Sequence, residues 1–377
     1  MTDANPVAIA AQVAWGGFAL ALVFGYVGAK TNFCTMGAVS DIVTMGDWSR
    51  MRMWLLAIAV AIVGSGALEL SGAVKLANSF YTSAQFNWLS HLVGGLLFGF
   101  GMVLGSGCGS KTLMRVGNGN LKSAVVLVFL AIAAYMTMRG LFAPLRVGVL
   151  EQAGILLAGT QDLPAVLARA TGGDRTVWLM LCTLLIGGGL AAFVLARAEG
   201  RSRDVLLGGI TIGAVVVGGW WLTGVFGFLE EHPETLKEAW VGTNSGRMES
   251  LTFVGPQAYT LELLMLWTDK SKGVTFGIAS ALGVIAGSFL HGLFNRGLRL
   301  ESFRDPEDML NHIAAGVLMG FGGVTALGCT IGQGLTGLST LALGSIITFA
   351  GIVVGARAAL GYQVWRFDQI EIAAARA

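Results

Sequence analysis

Apolar residues run along this chain in long blocks, separated by short segments where charge, asparagine and glycine collect. A helix needs about 20 residues to cross about 30 Å of hydrocarbon. By that measure nine blocks are span candidates: 7–29, 51–70, 89–104, 121–138, 176–196, 205–228, 273–294, 312–327 and 338–360. A tenth, 251–267, carries Glu262 in its second half. An isolated acid is unfavourable in lipid and usually faces protein or water. This block therefore reads as a partial, buried helix, with Glu262 either a structural partner or a residue of a path. The pattern predicts an all-α polytopic membrane protein of about nine spans. Residues 139–175 and 230–250 read as polar excursions, and no hydrophilic stretch is long enough for a soluble catalytic domain.

Two blocks repeat. HLVGGLLFGFGMVLGSGC from His91 to Cys108 and HIAAGVLMGFGGVTALGC from His312 to Cys329 lie 221 residues apart and agree at nine of eighteen positions. A period that long in a hydrophobic chain predicts two pseudo-symmetric, inverted halves with re-entrant loops meeting near the membrane midplane. The expected organisation is a first half over 1–138, a connector and linking helix over 139–204, a second half over 205–365 and a cytoplasmic tail over 366–377, all one integral-membrane domain. The Gly95/Gly99 and Gly316/Gly320 pairs read as small-xxx-small packing. His91 and His312 sit where spans begin and read as interfacial helix-end residues.

Composition supports the membrane reading: 54% of residues are hydrophobic and 12% charged, with a mean hydropathy of +0.71. A net charge of +2 is too small to imply nucleic acid. The 56 glycines suit tightly packed or broken membrane helices. Arg197, Arg201 and Arg203 in one short loop, and Arg296, Arg299 and Arg304 in another, mark the cytoplasmic side. With nine spans the N-terminus then lies outside, periplasmic in a prokaryote, and the C-terminus inside. No removable signal peptide is evident in the first residues.

Four cysteines without CxxC or CxxH spacing give neither a disulfide framework nor a zinc signature. Cys182 lies in a plain apolar run and reads as a packing residue. Cys34, Cys108 and Cys329 lie in glycine-rich loops: TNFCTMGAVSD, too apolar for an aqueous loop and too short to span, GSGCGSKT, and LGCTIGQGLTG. Glycine beside a thiol permits close backbone approach and positive φ. Where a broken helix resumes, its free N–H groups and positive dipole end favour an anion. Lys111 and Arg115 add positive charge, Gln333 could donate to an oxyanion, and Asp41 reads as a local cap or pairing residue. GSGCGSKT superficially matches a phosphate-binding P-loop. Ser110 replaces the glycine required before Lys111, and an apolar helix-length run precedes it instead of a strand, so nucleotide binding is not expected.

These three cysteine loops, in this order, resemble the hallmark loops of the YeeE/YedE family of sulfur-transport membrane proteins, and the likeness covers most of the chain. The resemblance implies a helical hourglass with pseudo-two-fold symmetry and no enzymatic activity or cofactor of its own. It further implies uptake of thiosulfate past Cys34, Cys108 and Cys329 by S–H···S hydrogen bonding, and a cytosolic TusA-like sulfur-carrier partner. The chemistry is compatible. Thiosulfate is a dianion with a soft terminal sulfur, and a neutral thiol is a weak donor and acceptor through a similarly soft atom. Weak contacts in series suit permeation, which needs release as well as binding. Other readings are a permease for another sulfur or selenium species, a soft-metal permease, and an intramembrane thiol redox protein. Scattered methionines and the lack of a CxxC pair or quinone or haem site weaken the last two. The connector over 139–175 is longer than a minimal member of the family needs.

Overall fold

The computed structural model describes residues 5–376 and is 72% helical. In the first part of the chain α1 (Pro6–Lys30), α2 (Thr35–Met45), α3 (Ser49–Leu70), α4 (Trp88–Leu104), α5 (Gly109–Gly117) and α6 (Leu121–Arg139) follow in turn. A connector with a helical stretch over residues 143–153 and a short helix, α7 (Leu163–Thr171), leads to α8 (Arg175–Leu195). The rest comprises α9 (Arg203–Phe226), α10 (Gly255–Met265), α11 (Phe276–Phe294), α12 (Pro306–Thr325), α13 (residues 330–339) and α14 (Leu343–Arg376). Sheet is confined to two-residue pairs: β1 (Gln85–Phe86) with β2 (Ile155–Leu156), and β3 (Phe228–Leu229) with β4 (Ala239–Trp240).

Among the described residues, eight helical segments are long and apolar enough to cross a membrane. The ninth expected block falls in α12, which is 20 residues long but opens with Glu307 and Asp308. Lys122 at the start of α6 pairs with Asp308 at 2.7 Å, so this charged turn is anchored to its neighbour. The block with Glu262 forms α10, only 11 residues long and too short to span.

Glycine decides how the helices pair. On α1, a side chain at Gly25 would collide with the Val284 backbone, and one at Gly287 of α11 with the Leu22 backbone. The same relation holds for Gly95 and Gly99 of α4 against Thr348 and Ile352 of α14, and for Gly316 and Gly320 of α12 against Val126 and Leu130 of α6. Gly209 and Gly213 of α9 meet Leu56, Ala57 and Val60 of α3. All four pairs run parallel. By contrast α4 and α12 cross antiparallel, each backbone filling the other's gap: Gly94 against Gly322 and Ala326, Gly322 against Gly94 and Phe98. Backbones this close gain dispersion contacts and weak Cα–H···O bonds, the usual substitute for a hydrophobic drive between helices in lipid. Interchanging α1–α6 with α9–α14 reproduces this scheme, with α4 and α12 about the implied axis. Helix α3 packs on α9, and α11 packs on α1, so each part lends a helix to the other.

This packing defines two faces. Lys30 at the end of α1, the end of α11, and the starts of α6 and α12 lie on one, where Asn120 pairs with Glu301. Arg139 at the end of α6, the starts of α1, α4 and α11, and the 140–171 connector lie on the other. His91 lies in the first turn of α4 and His312 in the second turn of α12, but both are buried against neighbouring helices, 3% and 6% exposed, so neither is interfacial. His91 Nδ1 meets Thr348 Oγ1 at 2.9 Å, and His312 Nδ1 meets Asp308 O at 2.7 Å. A helix start covered by neighbouring helices needs an internal polar partner.

Candidate functional site

Several helices end in the same reversed turn, and a cysteine follows directly after three of them. Asn32, Ser106 and Leu327 have φ of 52°, 54° and 59°. After each, the next N–H bonds five residues back: Phe33 to Gly28 O at 3.0 Å, Gly107 to Met102 O at 2.8 Å and Gly328 to Gly323 O at 2.7 Å. This is the Schellman ending, which reverses the chain and closes orphan carbonyls. For Leu327, a left-handed conformation costs about 1–2 kcal/mol, which marks this loop as held by its surroundings. The next residue is Cys34, Cys108 or Cys329, and a new helix begins at once: α2, α5 or α13.

Each thiol therefore sits at a helix N-terminus. Cys34 Sγ accepts from Gly37 N at 3.4 Å, and Cys329 Sγ from Gly332 N at 3.4 Å. Cys108 Sγ lies 3.3 Å from Ser110 Oγ. All three are buried. Cys34 and Cys108 are neighbours, the Thr330 hydroxyl adjoins Cys108, and Cys329 lies near Cys108. The Thr35 hydroxyl, directly after Cys34, is buried without a hydrogen-bond partner, and the Thr330 hydroxyl, directly after Cys329, faces the Cys108 thiol. Buried polar groups normally find partners, so the Thr35 hydroxyl is open to a polar solute. Aromatic rings wall the cluster: Phe33 stacks on Trp54 at 4.9 Å, and Phe24 contacts Phe253 at 5.5 Å.

The cluster lies between two approaches. On the Lys30 face, Lys111 Nζ donates to Asn32 Oδ1 at 3.4 Å beside Cys34. Toward the Arg139 face, a cavity of about 370 Å³ reaches Thr252 and Gly328, next to Cys329, with Arg139 and Arg146 in its lining. Gln333 is spent internally: Nε2 donates to Ala326 O, and Oε1 accepts from Ser345 Oγ. It braces the Cys329 loop. Glu262 does not join the thiols; it pairs with Lys272 at 2.9 Å and Arg139 at 3.8 Å around a separate, smaller cavity. Asp41 pairs locally with Arg50 at 3.0 Å, and Cys182 packs in the core beside α3. Sequence reasoning missed the hydroxyls of Thr35, Ser110 and Thr330, although Cys-Thr recurs in two loops. It also missed Glu249 and Tyr81, which nothing in their local sequence singles out.

Fold and site together define a polytopic helical membrane protein with a central buried thiol cluster. The chain belongs to the Sulphur transport family, whose sequence pattern matches residues 30–358. It is 27% identical over 327 residues to the thiosulfate transporter TsuA of Escherichia coli (strain K12), an alignment covering 83% of this chain and 84% of that protein. It is 25% identical over 374 residues to the thiosulfate transporter TsuA of Spirochaeta thermophila, covering 90% and 96% respectively.

Proposed function

We propose that this protein takes up thiosulfate, or a closely related sulfur oxyanion, across the prokaryotic inner membrane along Cys329, Cys108 and Cys34, through weak S–H···S contacts without covalent chemistry. The observation that carries the reading is the convergence of three buried thiols at three helix N-termini. The two kinds of group do different work. A helix N-terminus in a partly buried setting contributes up to about 2 kcal/mol toward holding an anion, and three of them offset part of a dianion's lost hydration. Thiol contacts are weaker and select for a soft sulfur atom while still releasing it.

Direction follows from charge. The short loops on the Lys30 face carry Arg197, Arg201, Arg203, Arg296, Arg299 and Arg304, which assigns that face to the cytoplasm. Substrate then enters from the periplasm at the Arg139 face, where α1 begins, and leaves past Lys111 on the Lys30 face, toward which α14 runs. A TusA-like sulfur carrier on the cytoplasmic face would consume the delivered sulfur and maintain inward flow. The decisive measurement is uptake of labelled thiosulfate by cells lacking other routes. Wild-type protein should support it and Cys108→Ser should not, because a hydroxyl keeps the donor but loses the soft atom. Equal uptake by the serine variant would overturn the thiol path.

A further inference from the structure

One buried carboxylate stands beside the proposed route without a part in it. Glu249, only 7% exposed, lines the same cavity as Arg139, Arg146, Thr252, Tyr259 and Gly328. A solute moving from that cavity toward Cys329 passes it. Its Oε1 accepts from Asn244 N at 2.9 Å, and the Ser245 N–H also faces it. It has no cation partner among the described residues. Arg146, from the connector, is held by Glu151 and Thr137 O. Arg139, from α6, is drawn toward Glu262 of α10, which Lys272 also holds. The other titratable groups facing it are Tyr259 of α10 and Tyr81 of the 80–82 turn, with Cys329 beyond Tyr81. Phenols are neutral near pH 7. Arg247, on the same loop as Asn244, is exposed.

The charged residues of the cavity lining are Arg139, Arg146 and Glu249; both arginines already have carboxylate partners outside the lining, Arg146 in Glu151 and Arg139 in Glu262, whereas Glu249 is unpaired among the described residues. A bare carboxylate on the wall, beside arginines already engaged by other acids, makes the cavity a poor receiver for a dianion. One proton on Glu249 removes that negative charge and turns the carboxyl into a hydrogen-bond donor. Its backbone partners come from its own loop, so this change needs no rearrangement of the helices.

We propose that Glu249 is the proton-binding residue of an entry site for divalent oxyanions in this cavity, taking up a proton as the anion binds. The proposal rests on the thiosulfate reading above and adds a coupled ion to it. Burial pushes the Glu249 carboxyl up to about 7, so both protonation states are populated where the protein works. Binding linked to one proton weakens as pH rises, because the anion then has to bring the proton from a scarcer supply.

The test is labelled thiosulfate uptake into proteoliposomes from pH 6 to pH 8, for wild type, Glu249→Gln and Glu249→Asp. Wild-type uptake at limiting substrate should fall about tenfold over this range, following a carboxyl that titrates near 7. Glu249→Gln should flatten the profile, and Glu249→Asp, which still titrates, should keep a slope. Identical profiles for wild type and Glu249→Gln overturn the proposal while leaving thiosulfate transport standing; no uptake by wild type at any pH overturns the transport reading instead. A measurement on wild type alone covers a variant that does not fold. Thiosulfate added to proteoliposomes in weak buffer at pH 7 should raise the external pH, and an unchanged external pH overturns the proposal.

Discussion

Two short helices occupy corresponding places in the exchanged scheme, and only one begins with a thiol. Helix α2 starts after Cys34, whose Sγ accepts from Gly37 N. Helix α10 starts after Val254, which has no side-chain cap. Thr252, two residues before Val254, lacks the positive φ that Asn32 has two residues before Cys34. Pro256 in the first turn of α10 removes one of the free N–H groups that α2 offers. The first loop presents donors and a thiol, whereas the second presents a methyl surface with Glu249 five residues upstream. Near-symmetric packing thus supports asymmetric chemistry, and asymmetry is what gives a path distinct ends.

The comparison can be broken at several points. The largest effect is expected at Cys108, which adjoins both Cys34 and Thr330. Cys108→Ala should lower thiosulfate uptake more than about tenfold, because it interrupts the line rather than shortening it. Converting the first loop to the second, Cys34→Val, should reduce uptake about three- to tenfold, the worth of one modest hydrogen-bonding contact, with expression unchanged.

Glu249 gives a thermal signature independent of transport. Its carboxyl is raised from 4.5 to about 7 in the folded protein, so the folded state holds the proton more tightly. That contribution is complete below about pH 4.5 and is lost as pH rises through about 7. Between pH 5 and pH 8 the wild-type melting temperature should therefore drop about 2–5 °C further than that of Glu249→Gln; equal drops would place the carboxyl in solvent. The reverse graft, Val254→Cys, should leave folding intact and change uptake by less than about twofold, since α10 still lacks the loop that presents a thiol. Cys182→Ala should have the smallest effect, with uptake at the wild-type level and at most about 1–2 kcal/mol lost from packing.

Much of this was legible in the chain because lipid imposes it. Uninterrupted apolar runs can only be spans or buried helices, and the glycine pattern around His91 and His312 exposes the repeat. The three cysteine loops were legible for a related reason, since glycine, asparagine and a thiol together leave few alternatives. What stayed hidden depends on distant partners. Gln333 looked like a donor to substrate, yet Ser345 and Ala326 occupy its amide. Glu249 looked like an ordinary polar-loop residue, and only the distant residues that share its cavity, Phe80, Arg139, Arg146, Gly277 and Gly328 among them, make it a cavity wall. The interfacial reading of the two histidines failed because a helix start does not reveal whether lipid or another helix covers it.

The exchange of helices also has a timetable. Gly17 of α1 packs against Phe276, 259 residues later in the chain. At about 5–20 residues per second, the first span waits roughly 13–50 s after its synthesis before its partner exists. Until then its glycine-rich face has only lipid, or some other protein, to cover it.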